Sequence, residues 1–349
     1  MQGLAFDADA KRLFSSADDA EMRVWKINRT APAAPWPELS KFKYPGKIID
    51  LRFSRDGKRL AIGGTAKRIA LWETTGNRPQ LRWLDGHTVD VRQLEFLDGG
   101  RKLLSAAGGE WDPGLSGELK LWDLETRGPP RSIGSFEGTL ASLAIGNDEA
   151  WVATGDWIPR PEIRLWDLAS GNELPKHDFQ RYGYLAGFDH GREQMIIAGG
   201  DGAYEWELPR DKAGLPTSGT AICKIFFAGM HLTPQGGEFS RDRSAIFCPT
   251  GRPSVVFDLK REKVLASVHG RTGAFSSGGR MLATSDEPII ANQISLWDLA
   301  HDRLIGTLRG VHGLKITRLA FCLDDRWILS ANTDGTLHFW KVPQEAIRD

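Results

Sequence analysis

The sequence predicts an all-β fold, a radial array of eight similar units, on three observations. Tryptophan recurs at seven equivalent places, Trp25, Trp72, Trp122, Trp166, Trp206, Trp297 and Trp340, and Phe257 fills an eighth. Successive places lie 40 to 51 residues apart. Each ends a short run that alternates apolar and polar residues, as a half-buried strand does. A repeat of that length with a fixed aromatic is the signature of a radial β array.

The final unit shows the order of parts. Gly310-Val311-His312-Gly313 opens it, and residues 316–321 alternate as the first strand. Asp324-Asp325 marks a turn, residues 327–331 a second strand, and Asp334-Gly335 a hairpin turn. Residues 337–342 make a third strand carrying the tryptophan. The same order runs through residues 51–73, 91–124 and 274–299. An outer strand is expected after the aromatic in each of the first seven units, as in residues 80–84 and 303–308. After Trp340 only residues 341–349 remain, interrupted by Pro343, so the eighth unit is expected to lack its outer strand.

These features together resemble the WD-repeat β-propeller family, over essentially the whole chain. Trp122-Asp123, Trp166-Asp167 and Trp297-Asp298 carry the literal dipeptide, Gly86-His87 matches the family's Gly-His signal, and Val311-His312 is a degenerate copy. The resemblance implies one propeller over residues 1–349, with eight blades of four-stranded antiparallel sheet. The blades fall near residues 1–44, 45–85, 86–136, 137–180, 181–229, 230–270, 271–309 and 310–349. It also implies a tetrad of His, Ser or Thr, Asp and Trp that braces a blade. The last unit holds all four as His312, Ser330, Asp334 and Trp340. The third holds His87, Ser105 and Trp122, with Ser116 where the Asp would stand. Such residues read as a satisfied hydrogen-bond network, not as catalysts.

Composition narrows the function classes. Lys plus Arg equals Asp plus Glu at 45 each. A nucleic-acid binder normally shows a basic excess, because phosphate neutralisation dominates its affinity, so no nucleic acid is expected. Cys223, Cys248 and Cys322 lack CxxC spacing and fit reduced, buried thiols. No apolar run reaches membrane-spanning length, and no signal peptide precedes the first strand. The expected location is cytoplasmic.

Function on a rigid repeat scaffold sits in loops of excess length. Ten residues separate the second-strand Ser from the Trp in the plain units, Ser15 to Trp25 and Ser330 to Trp340. The third unit has seventeen, Ser105 to Trp122; the seventh has thirteen, Thr284 to Trp297; the fourth has twelve, Thr154 to Trp166. By the family resemblance these connections belong to the top face. Trp111 and Asp112 lie in the third unit's insertion, and Trp157, Ile158, Arg160 and Glu162 in the fourth's. Trp and Arg dominate interface hot spots, and the prolines at 113, 159 and 161 lower the entropy lost on binding. Ile289 and Ile290 in the seventh unit are a weaker partner-binding candidate. The alternative for both tryptophans is that they fold back as blade plugs. Insertions at residues 28–39 and 209–221 belong by the same resemblance to the bottom face and read as ordinary long loops.

An enzyme finds little support in the sequence. Glu110, Asp112, Asp156 and Glu162 cluster on predicted top loops, but no metal-ligand spacing accompanies them. Neither a Gly-x-Ser-x-Gly elbow nor a phosphate loop is present. His177, His190, His231, His269, His301 and His338 are scattered singly. The expectation is therefore a non-catalytic platform without metal or cofactor, monomeric within a complex, that binds a protein or peptide mainly through top-face loops of blades 3 and 4. The alternatives are a docking or sensor propeller of a larger regulatory protein such as a kinase, and a metal-assisted propeller hydrolase. The first unit keeps Ser15, Asp19 and Trp25, but its His would fall before residue 1. With no closing strand evident at either end, Met1 is expected to be an internal position. Adding native upstream residues is then expected to raise the melting temperature; an unchanged value would remove that expectation.

Overall fold

In a computed structural model, the alternating runs form thirty strands among the described residues. The structure describes residues 3–7, 11–16, 19–27, 38–73, 80–108, 116–126, 128–137, 140–146, 149–156, 162–175, 184–189, 194–199, 202–212, 214–217, 222–228, 238–240, 244–249, 254–258, 261, 263–270, 272–285, 293–309, 316–322, 325–332 and 337–343. Sheet one holds β1 (Gly3–Phe6), β2 (Arg12–Ser16), β3 (Glu21–Lys26) and β4 (Glu38–Lys43). Sheet two holds β5 (Ile48–Phe53), β6 (Arg59–Gly64), β7 (Arg68–Glu73) and β8 (Gln80–Asp85). Sheet three holds β9 (Val91–Leu97), β10 (Lys102–Ala107), β11 (Ser116–Asp123) and β12 (Arg131–Glu137). Sheet four holds β13 (Leu140–Ile145), β14 (Trp151–Asp156) and β15 (Ile163–Asp167). Sheet five holds β16 (Tyr184–Asp189), β17 (Gln194–Gly199), β18 (Gly202–Glu207) and β19 (Ile222–Ala228). Sheet six holds β20 (Glu238–Phe239), β21 (Ala245–Cys248), β22 (Ser254–Asp258) and β23 (Lys263–Val268). Sheet seven holds β24 (Thr272–Phe275), β25 (Met281–Ser285), β26 (Gln293–Asp298) and β27 (Arg303–Arg309). Sheet eight holds β28 (Ile316–Cys322), β29 (Trp327–Asn332) and β30 (Leu337–Lys341).

Strands follow chain order in every sheet. Their registers are antiparallel, with Leu103 opposite Trp122 and Ile328 opposite Trp340. The chain is thus an all-β, β-propeller-type fold. Among the described residues of the fourth unit, the expected outer strand is represented by one bridge, Trp166 opposite Glu173, with Leu174 N donating to Leu165 O at 2.8 Å. Residues 176–183 lie outside the described residues. First strands in five sheets shift register near their start, between Ile48 and Asp50, opposite Ala106 and Ala107, and between Leu140 and Ser142, Leu185 and Gly187, and Ile316 and Arg318. Such bulges twist a strand and re-aim its side chains.

Residues 1–4, 10–43 and 237–349 form one compact unit, and residues 5–9 and 44–236 a second. Inside each unit, successive sheets pack face to face, and the recurring tryptophan fills the seam. Trp122 packs with Ala61, Ile69 and Leu71 of sheet two. Trp166 packs with Leu104, Leu119 and Ile133 of sheet three, and Trp206 with Trp151, Ala153 and Leu165 of sheet four. In the other unit Trp297 lies against the Phe247 and Val256 cluster of sheet six, and Trp340 against the Ala283 and Leu296 cluster of sheet seven. A strand packed on both faces needs no polar side. β6 is therefore buried from Leu60 through Gly64, and β25 from Met281 through Ser285. Outer strands lose that cover, and Leu81 in β8 and Leu304 in β27 are exposed.

The seams leave little slack. A Cβ on Gly134 of β12 would lie 2.2 Å from Cζ3 of Trp166. A contact that close does not occur between real atoms, so a side chain there would drive sheets three and four apart. Gly134→Ala is expected to destabilise the protein by about 1–3 kcal/mol, as overpacking does, read from the urea midpoint. A midpoint equal to wild type would show that the seam can widen.

Candidate functional site

The indole of a buried tryptophan has an N–H that needs an acceptor. Five sheets supply one from the second strand. Trp25 Nε1 donates to Ser15 Oγ at 2.8 Å, Trp122 to Ser105 Oγ at 2.7 Å, and Trp166 to Thr154 Oγ1 at 2.9 Å. Trp297 donates to Thr284 Oγ1 at 3.0 Å and Trp340 to Ser330 Oγ at 2.9 Å. In each case the hydroxyl stands two residues beyond the residue opposite the tryptophan. Ile62 and Ile197 hold that position in sheets two and five. His312 and Asp334 lie outside the described residues.

Sheet three extends the brace into a relay. His87 Nε2 lies 2.7 Å from Ser105 Oγ, and its Nδ1 lies 2.7 Å from Glu118 Oε2. Glu118 also accepts from Thr88 Oγ1 at 2.7 Å and Thr88 N at 3.2 Å, and Lys120 Nζ is 3.2 Å away. Lys120 Nζ donates in addition to Gly86 O. The network assigns the proton to Nδ1, donating to Glu118, while Nε2 accepts from Ser105. Ser116 stands where the resemblance would put the Asp, and the carboxylate that His87 meets is that of Glu118, which reaches it from within β11. Glu118, Lys120 and Trp122 share one strand face by the two-residue period, which is the signal that could have identified it.

Burial pushes the His87 imidazole below its ordinary value, against the pull of Glu118. Burial would raise Glu118, but hydrogen bonds from His87, Thr88 and Lys120 outweigh it and hold the carboxyl at about 2. The order Ser, His, carboxylate has the form of a hydrolytic triad, yet it cannot act as one. Ser105 is fully buried and its oxygen already accepts the Trp122 N–H, so no substrate carbonyl can approach it.

The aspartates of the Trp-Asp dipeptides have a different task. Asp123 Oδ1 accepts from Glu125 N at 2.9 Å and Thr126 N at 3.2 Å. Asp167 accepts from Ala169 N at 2.8 Å, and Asp298 from Ala300 N at 3.1 Å. Each closes an Asx turn after the third strand. Arginines on outer strands then staple sheet to sheet, Arg82 to Leu124 O at 3.0 Å and Arg131 to Ala169 O at 2.8 Å.

Trp111, Asp112, Trp157, Ile158, Arg160, Ile289 and Ile290 lie outside the described residues. Glu162 is described, and its carboxylate pairs with Arg164 of β15. What the structure does place is the strand ends that carry the two insertions. β10 and β11 flank residues 109–115, and β14 and β15 flank residues 157–161. Those four strands belong to sheets that share one seam. Among the described residues, no group of three or more His, Cys, Asp or Glu is arranged to hold a metal ion. No helix among them is long and apolar enough to cross a membrane. In the connection after β18, Thr217 N donates to Pro209 O at 2.8 Å, and Arg210 Cζ lies 5.9 Å from the Trp151 ring centroid; residues 213 and 218–221 lie outside the described residues. Residues 28–37 lie outside the described residues.

Comparison with known proteins gives two findings. The family model described as WD domain, G-beta repeat matches residues 303–341. Those residues begin on outer strand β27 and end on third strand β30, so the sequence repeat straddles two sheets. Protein groucho of Drosophila melanogaster is 21% identical over 168 residues, 48% of this chain and 22% of that protein. The match therefore spans less than a quarter of that relative.

Acid should loosen sheet three first. A histidine held below its ordinary 6.5 contributes stability above that pH and loses it as pH falls. Glu118 contributes fully above its ordinary 4.5 and loses its share as pH falls through about 2. The melting temperature is expected to fall from pH 7 to pH 5, with a flatter profile in His87→Gln, and Glu118→Gln should flatten only the profile below about 4.5. Parallel profiles for all three proteins would count against the relay. Ser105→Ala strands both neighbours and is expected to cost about 1–3 kcal/mol in urea unfolding.

Proposed function

We propose that this WD-repeat β-propeller protein is a non-catalytic platform for protein partners, with its dock on the insertions of units three and four. Residues 1–349 would form one propeller of eight blades. The observation that carries the dock is the common base of the two insertions. Residues 109–115 and 157–161 spring from equivalent strand ends in sheets three and four, which share a packed seam. Glu118 ties β11 to residues 87 and 88, so the base of the first insertion is cross-linked by hydrogen bonds. A rigid base lowers the entropy lost when a loop engages a partner. Trp111, Trp157 and Arg160 are residue types that bury large areas at interfaces. The aspartates of the dipeptides are occupied in turns and the Ser105 relay is sealed, so neither supplies catalytic machinery.

The test is affinity capture from the source lysate with wild type and a Trp111→Ala/Trp157→Ala variant, both first shown to melt at the same temperature. A protein retained by wild type alone is the expected result. Identical captures, or no specific prey, would make both tryptophans blade plugs and move the search to other surfaces.

A further inference from the structure

The turn between first and second strands repeats one backbone feature from sheet to sheet. Its key position lies three residues before the second-strand residue opposite the tryptophan. In the five sheets where that position is described, it holds Gly57, Gly100, Glu149, Gly279 and Asp325. All five are left-handed, with φ of 68°, 98°, 56°, 70° and 60°. Glycine adopts that conformation without a Cβ penalty, whereas a glutamate or aspartate pays one. A side chain persists there only when its surroundings hold it in place.

The two exceptions make the same contact. Glu149 Oε2 accepts from Asp98 N at 2.6 Å. Both carboxylate oxygens of Asp325 lie 2.9 Å from Ser277 N, and Oδ2 also accepts from Ser277 Oγ at 2.5 Å. The donors are equivalent too, since Asp98 and Ser277 each stand five residues before the residue opposite Trp122 or Trp297. In both cases the donor belongs to the turn of the preceding sheet, three for four and seven for eight. At the seam of sheets two and three the same position again meets the preceding turn: a Cβ on Gly100 would lie 2.8 Å from Ser54 Cβ.

We infer that Glu149 and Asp325 are latches between sheets, each held in a left-handed conformation by the backbone N–H that it grips on the sheet before. Apolar packing in a seam is non-directional and does not set how far one sheet slides along the next. A carboxylate on a single N–H does, and the bond is charge-assisted. Seams three–four and seven–eight are thereby fixed at the ends where second strands begin. That is the end of β10 and β14 opposite the insertions, so the latch stands apart from the dock proposed above.

The experiment is amide hydrogen exchange of the native full chain, resolved to single residues and corrected for intrinsic rates. In wild type, Asp98 and Ser277 are expected to exchange more slowly than Arg55, the equivalent amide that has Gly100 at the corresponding place in the next sheet. Glu149→Gly and Asp325→Gly relieve the backbone and remove the grip. A turn filler replaced in this way would leave exchange unchanged or slower. A latch predicts roughly tenfold faster exchange at Asp98 in the first variant and at Ser277 in the second, the loss expected for one hydrogen bond to a charged group. Each variant should leave the other's amide unchanged. Unchanged exchange at either reporting amide in a folded variant would overturn the inference. If a glycine variant does not fold, the wild-type comparison decides, and exchange at Asp98 and Ser277 as fast as at Arg55 would refute the latch.

Discussion

The seam tryptophan is the constraint on which the rest of the structure depends. A large flat indole between two sheets requires an apolar lining on the sheet before it and a polar partner for one N–H. The lining explains why second strands are apolar on both faces and why Gly134 lies under Trp166. The polar partner explains the second-strand Ser or Thr in five sheets. Burying a tryptophan at such a seam is worth about 3–5 kcal/mol by the cost of truncating one, whereas its hydrogen bond contributes only about 1 kcal/mol. Burial is thus what keeps an aromatic side chain at every unit, including Phe257. The hydrogen bond is dispensable, and the isoleucines of sheets two and five, and Cys248 of sheet six, stand in its place.

Sheet three goes the other way and strengthens the brace. Its hydroxyl is backed by His87, and His87 by a carboxylate with four donors around it. A buried network of this kind stabilises only when every member is satisfied. Glu118 meets that condition from a strand position because Thr88 and Lys120 converge on it. Among the described residues, the sheet that carries the longest insertion between second and third strands is thus also the one with the fullest polar cross-link beneath it. Sheet six lies at the opposite end of the same scale, with Phe257 and Cys248 where other sheets hold the two halves of the brace.

Chemistry-bearing residues in repeat proteins invite functional readings that the geometry then removes. Asp123, Asp167 and Asp298 cap turns, and Ser105, His87 and Glu118 form a sealed relay. Glu162, just before β15, is paired with Arg164 of that strand. Once these groups are assigned to the frame, they no longer support a catalytic reading of the residues that bear them. The scaffold fixes the strand ends from which the two insertions of the proposed dock depart.

The sequence by itself determined the class of fold and the repeat. The aromatic spacing, the two-residue alternation and the turn dipeptides are local signals, and each is printed in a single strand or hairpin. It also located the hydroxyl partner of Trp25, Trp122, Trp166, Trp297 and Trp340, because a Ser or Thr recurs at the same place in the second strand although the offset to the tryptophan runs from ten to seventeen residues. Tertiary structure decided what depends on which groups meet across a seam or turn. Ser116 stands at the sequence offset of the missing Asp, but the carboxylate that meets His87 is that of Glu118, because a carboxylate is chosen by reach and not by sequence offset. Among the described residues, the outer strand expected in the fourth unit came down to a bridge at Glu173. The altered brace of sheet six was written in the sequence as Phe257 and Cys248. Those residues became a pair only when the register set Ile246 opposite Phe257, because a hydrogen bond is a relation between strands that neither strand carries alone.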